Sequence, residues 1–128
     1  DEVGIDLEII DRGTEARLAV SGCASLVDGE ADGVVLFDIG GGSSELVWLD
    51  LVRPSGSGPP TRSIRAWTSL PLGVVSLAER FGGIHVDSTT FEAMIADVML
   101  HIDRFEARDA IRERIRTGRV HLLGTSGT

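Results

Sequence analysis

Strand-like segments alternating with helical ones predict an α/β domain, and three observations carry that reading. Apolar runs at Val34–Phe37 and from Leu46 onward flank three consecutive glycines. Further along, Phe91, Ile95, Val98, Met99, Ile102 and Phe105 repeat with a helical period. A last apolar run, Arg119 to Leu123, leads into a second glycine-rich stretch. A chain of 128 residues is long enough for one ordinary domain with a core.

Taken in order, Ile5–Ile10 alternates enough to be a strand, and Arg12-Gly13 breaks it. Thr14 is placed to cap a helix with Glu15 in its first turn. That helix is expected to reach Ala24 or Leu26, with Leu18, Val20 and Cys23 inward. Asp28–Gly33 is an acidic turn. Val34–Phe37 then reads as a strand ending on Asp38, Gly40-Gly41-Gly42 as a tight turn, and the run from Glu45 as the returning strand. Pro54–Pro60 has loop composition. Ile64–Leu70 is a strand closed by Pro71-Leu72-Gly73, and Val74–Phe81 a short helix. Asp87-Ser88 starts a longer helix that continues or restarts through Ile111 and Ile115 to Gly118. Arg119–Leu123 is the last strand, opening into Gly124-Thr125-Ser126-Gly127-Thr128. Trp48 and Trp67 fall in strands, as core or edge packing.

Composition narrows the function. The formal net charge is −8, and residues 1–52 carry twelve Asp and Glu against two Arg. Such a chain is poorly suited to neutralising a nucleic-acid backbone. The absence of lysine excludes a Walker A loop, whose lysine reaches the β- and γ-phosphates. No apolar run has membrane-spanning length, and Asp1-Glu2 does not begin a signal peptide. Cys23 alone cannot form an internal disulfide, so the cytoplasm is the expected compartment.

The chemistry centres on residues 38–45. Three adjacent glycines allow φ > 0 and let backbone N–H groups approach an anion with no Cβ between. Phosphate is the anion most often held in this way. A Rossmann fingerprint would space its glycines and open a helix, whereas here a strand follows. A ligand-free glycine hairpin is the plainer alternative. Asp38, at a strand's C-terminal end, suits Mg²⁺ beside phosphate, or else caps the turn. Ser43 can donate to a phosphate oxygen or serve as a turn hydroxyl. Glu45 shares a strand face with Ser43 and could hold a water or a metal, or lie exposed. A second loop of Gly124, Thr125, Ser126 and Gly127 could clamp a phosphate chain from the other side. Glu15 is a candidate base for water, or a glutamate favoured by the helix dipole. Arg108, Arg112 and Arg116, interleaved with Asp109 and Glu113, read as a solvated helix face. His85, His101 and His121 lack metal-ligand spacing.

Four blocks now stand in order: Gly13-Thr-Glu15-Ala-Arg17, Asp38-Ile-Gly-Gly-Gly-Ser43-Ser-Glu45, Ser69-Leu-Pro-Leu-Gly73 through Glu79-Arg-Phe81, and Gly124–Thr128. Together they resemble the exopolyphosphatase / guanosine pentaphosphate phosphohydrolase family. The resemblance implies an actin-like, ribonuclease-H-like fold of two lobes, a mixed sheet with flanking helices. Residues 1–32 would be the last strand of lobe one and the inter-lobe helix, and 33–128 most of lobe two. It implies Mg²⁺-dependent hydrolysis of a terminal phosphoanhydride in polyphosphate or guanosine pentaphosphate, in a homodimeric parent. It places the catalytic base on Glu15, metal and water handling on Asp38 and Glu45, and the phosphate-loop serine on Ser43. Where the family usually shows Glu-Glu-Ala-Arg, this chain has Thr14-Glu15-Ala16-Arg17. The family's first lobe, with its Asp-x-Gly-Ser loop, is not represented here. The 128 residues alone are therefore expected to show little or no turnover. A non-catalytic phosphate-binding module, or a sugar or acetate kinase of the same superfold, is the alternative.

Overall fold

The computed structural model describes residues 4, 8–52, 61–83 and 85–126. At its centre is one four-stranded sheet of β1 (Gly33–Ile39), β2 (Ser44–Val52), β3 (Thr61–Leu70) and β4 (Val120–Ser126), in the order β3-β2-β1-β4. β1, β2 and β3 form an antiparallel meander, and β4 pairs parallel to β1. A parallel neighbour needs a crossover. It is supplied by α2 (Val74–Arg80), α3 (Ser88–Ile102) and α4 (Arg108–Thr117). The predicted α/β class is therefore observed as a mixed sheet with flanking helices.

Alternation along the strands sorts the side chains onto two faces. Val34 and Leu36 of β1 and Val47, Leu49 and Leu51 of β2 are buried on the first face. There they meet Ala16 from α1 (Arg12–Gly22) and Cys23, its C-cap. Burying each of the larger aliphatic side chains is worth about 1.5–3 kcal/mol. The stripe of α1 that docks is Ala16, Ala19, Val20 and Cys23. These follow the i, i+3, i+4, i+7 spacing of a helix face. Leu18, expected to point inward, lies off that stripe and is 58% exposed.

On the second face Trp48 packs with Ala66, Phe105 and Ala107. Between this face and α2–α4 lies an apolar cavity of about 910 Å³, walled in part by Phe37, Leu46, Leu77, Val98, Ile102 and Ile111. Asp50 accepts from Arg65 at 3.1 Å and from Arg114 at 3.0 Å, joining β3, β2 and α4 at the rim.

Several boundaries differ from expectation. The strand expected at Ile5–Ile10 falls partly outside the described residues, and Glu8–Ile10 have no regular structure. α1 is capped by Asp11 rather than Thr14, because the Asp11 carboxylate accepts from the Thr14 N–H at 2.9 Å and the Thr14 hydroxyl at 2.8 Å. The helix consequently begins upstream of Thr14 and takes in Gly13. The Pro54–Pro60 loop lies outside the described residues. Of the two readings for the long helical stretch, the restart is observed: α3 and α4 are separate helices, and Asp87 caps α3 as expected, accepting from Thr90 N–H at 2.7 Å. Phe91, Ile95 and Met99, three members of the helical repeat, are 57%, 47% and 48% exposed. The stripe facing the cavity is Met94, Val98 and Ile102 instead. Finally, Gly124, Thr125 and Ser126 do not open a loop: β4 continues through them, paired with Phe37, Asp38 and Ile39.

Candidate functional site

Strand register assembles one polar row across the sheet at the glycine-turn end. Asp38 on β1 pairs with Glu45 on β2 and with Thr125 on β4, and Glu45 pairs with Ser69 on β3. Directly paired residues share a face, so Ser69, Glu45, Asp38 and Thr125 line up on the face that α1 covers lower down. Glu45 is 6% exposed and is the buried charged side chain among the described residues. Two hydroxyls hold it: Ser43 and Ser69 each donate to Glu45 Oε1 at 2.9 Å. Neither donor carries a charge. Asp38, directly opposite, is half-buried and has no side-chain partner among the described residues. Two carboxylates placed opposite one another repel.

The donor set suits a hard cation. Two carboxylates flanked by Ser43 and Thr125 hydroxyls offer only oxygen, the ligand that Mg²⁺ prefers. No group of three or more His, Cys, Asp or Glu suited to a metal occurs among the described residues. Mg²⁺ is ordinarily held by one or two carboxylates, with waters and phosphate oxygens completing the shell. Asp38 and Glu45 therefore fit as its protein ligands when phosphate is also bound.

The glycine turn links β1 to β2. Gly40 N–H donates to Ser43 O at 2.9 Å, closing the hairpin. The expected φ > 0 is not used here: positive φ occurs among the described glycines only at Gly4, Gly82 and Gly83. Steric room is the remaining reason for glycine. A Cβ on Gly40 would sit 3.1 Å from Ser43 O, one on Gly41 would make ordinary contact, and one on Gly42 would meet nothing within 4 Å. Neither backbone conformation nor internal packing demands glycine at Gly42. The carbonyls of the turn face α2, with Val74 N–H donating to Gly40 O at 3.0 Å and Val75 N–H to Gly41 O at 2.8 Å. The amides of Gly41, Gly42 and Ser43 have no protein acceptor among the described residues.

Ser43, Asp38, Glu45 and Thr125 are thus brought together. No hydrogen bond or ion pair joins Glu15 to them among the described residues. It is exposed in the first turn of α1, its N–H donating to Asp11 O at 3.0 Å and its carboxylate without a hydrogen bond or ion pair among the described residues. Neighbouring Gly13 lies against Trp67, two residues before Ser69 on β3, where a Cβ would be 3.7 Å from Trp67 Cζ2. Gly124 lies in β4 under the Phe37 ring, and Ser126 Oγ donates to Ile39 O at 3.3 Å. Gly127 lies outside the described residues. Sequence reasoning missed Ser69, although it quoted the block that contains it. Its signal is the β2–β3 register, and that cannot be counted across the intervening loop. His121 takes a structural role, its Nδ1 accepting from Asp28 N–H at 3.0 Å. No helix among the described residues is long and apolar enough to cross a membrane.

Comparison with known proteins follows the same lines. The crystal structure of an exopolyphosphatase-like protein is similar over 80% of this chain at 30% identity, with a TM-score of 0.61. The type II variant structure of the Aquifex aeolicus Ppx/GppA phosphatase is similar over 73% at 31% identity, with a TM-score of 0.50. This chain spans only 31% and 28% of those two chains. No curated protein matches significantly. The mixed sheet with its flanking helices is that of the actin-like Ppx/GppA structures. A family model, described as the Ppx/GppA phosphatase family, matches residues 1–128. The chain belongs to the Ppx/GppA phosphatase family.

Proposed function

We propose that this chain carries the glycine-loop wall of a cytoplasmic, Mg²⁺-dependent phosphohydrolase that removes terminal phosphates from inorganic polyphosphate or guanosine pentaphosphate. Family membership supports phosphoanhydride hydrolysis. The observation that carries the reading is the set of acceptor-free amides on Gly41, Gly42 and Ser43 beside the Asp38–Glu45 pair. Backbone donors with no internal partner suit phosphate oxygens, and the acidic pair suits the cation that accompanies them. Bound there, Mg²⁺ would neutralise charge on the phosphates.

Glu15 is the candidate base. Its unpaired, solvent-facing carboxylate can take a proton from water as the water oxygen bonds to the terminal phosphorus. The bridging P–O bond breaks, and the shortened chain leaves with its electron pair. Phosphate release from both substrates should be followed in the full natural chain and in its Glu15→Gln and Gly42→Ala variants. Glu15→Gln is expected to lower kcat by about 10²–10⁴ while tripolyphosphate still binds. Gly42→Ala adds a Cβ into open space and should weaken tripolyphosphate binding without lowering Tm. Unchanged turnover in Glu15→Gln removes Glu15 from the mechanism. Binding without turnover in the wild type selects the non-catalytic module. Phosphorylation of an added acceptor by ATP selects a kinase.

A further inference from the structure

The amides of Gly41, Gly42 and Ser43 point away from α2 for a traceable reason. In a planar trans peptide the carbonyl oxygen and the following N–H point in opposite directions. Val74 N–H holds Gly40 O at 3.0 Å, and Val75 and Ser76 N–H hold Gly41 O at 2.8 and 3.2 Å. The single Ser76 Oγ proton has two acceptors in reach, Gly73 O at 3.2 Å and Gly42 O at 3.4 Å. Three successive carbonyls are therefore drawn toward one short helical turn, and the three amides that follow them face the other way.

The first N–H groups of a helix have no partner within the helix and often bind anions themselves. In α2 they are already engaged by the loop, so this helix end is not itself the anion site. Hydrogen bonds in a chain polarise one another, and a carbonyl that accepts strengthens the N–H of its own peptide as a donor. The approach depends on Gly73, where a Cβ would fall 2.3 Å from Gly41 O and 2.6 Å from Gly40 O. Two hydroxyls pin the junction. Ser76 Oγ accepts from Gly73 N–H at 2.8 Å, and Ser44 Oγ donates to Leu72 O at 2.6 Å.

We propose that the Gly73–Ser76 turn is the backing that aims the Gly41, Gly42 and Ser43 amides at a phosphate group, with Gly73 and Ser76 as positioning residues that touch no substrate. The ligand part of this proposal rests on the phosphate reading above. The test uses the full natural chain with tripolyphosphate and Mg²⁺ as the probe, and compares wild type with Ser76→Ala, Ser76→Thr and Gly73→Ala. Amide signals of Gly41, Gly42 and Ser43 are followed by NMR alongside calorimetric binding. Ser76→Ala is expected to shift those three signals, speed their exchange and weaken binding about fivefold, with the modest fall in Tm that the loss of one internal hydrogen bond brings. Ser76→Thr, which keeps the hydroxyl, should restore both readouts. Gly73→Ala should displace the same signals further, and if it does not fold the serine pair still decides. Wild-type amide signals and affinity in Ser76→Ala would overturn the proposal. Shifted amides in a protein that never binds tripolyphosphate would keep the backing role and sink the phosphate reading.

Discussion

Glu45 is a carboxylate buried at the edge of a core with two neutral donors on a single oxygen. Neutral hydrogen bonds contribute on the order of 1 kcal/mol each, and an unsatisfied buried acceptor costs more. Ser69→Ala leaves Ser43 as the remaining donor. Thermal or urea unfolding should therefore show a loss of about 1 kcal/mol, and Ser69→Thr should recover most of it. An unaltered unfolding midpoint in Ser69→Ala would mean that Ser43 alone satisfies the oxygen. Asp38, Ser43 and Glu45 were legible in the sequence because a tight turn brings its shoulders together and alternation assigns their faces. Ser69 was not, and Thr125 was read as a loop residue rather than a strand partner of Asp38, since such neighbours are set by register with strands distant in sequence. Glu15 was legible as a helix-start residue.

At the scale of elements, two glycines turn out to be places for aromatic rings. A Cβ on Gly33 would lie 2.3 Å from Trp48 Cη2, and one on Gly124 would lie 2.4 Å from Phe37 Cζ. Overpacking of this kind costs about 1–3 kcal/mol. Gly124→Ala should lower the urea midpoint accordingly, and adding Phe37→Leu should return part of the loss. If Gly124→Ala unfolds at the wild-type midpoint, the ring moves freely and the glycine serves something else. Composition flagged Gly124 as loop-forming, yet across the sheet it is a packing residue within a strand. Helix starts show the same limit. Asp11 and Thr14 are both competent caps, and geometry chose the aspartate. Hydrogen bonds from the Thr14 hydroxyl, and next from its N–H, hold the Asp11 carboxyl below its ordinary 3.8. A depressed carboxyl stabilises the fold above its unfolded pKa, and the contribution is lost as pH falls through the folded value. The amides of the first turn of α1, Glu15 among them, should therefore lose protection as pH drops below 3.8. Asp11→Asn, which keeps the accepting oxygen, should remove that acid response. An identical acid profile in Asp11→Asn would place the titrating group elsewhere.

For the molecule as a whole, the two faces of the sheet are unequal. The first is closed by small residues of α1 against fully buried Val34, Leu36, Val47 and Leu49. The second surrounds an apolar cavity and leaves Leu122 and Ile115 65% and 59% exposed. Which face is filled depends on helix placement, which apolar runs and helical period do not report, and so Leu18, expected inward, is exposed. Closure of the first face has a practical consequence through Cys23, the only cysteine of the 128 residues. The residue is 8% exposed and caps the C-terminal end of α1, so a reagent such as DTNB reaches its thiol when that helix lifts. The rate of yellow thiolate release then becomes a stopwatch for undocking of the helix that bears Glu15. We expect labelling far slower than for a free thiol, accelerating in urea concentrations that leave the sheet intact. Labelling as fast as in unfolded protein would show that α1 spends its time detached, carrying Glu15 with it.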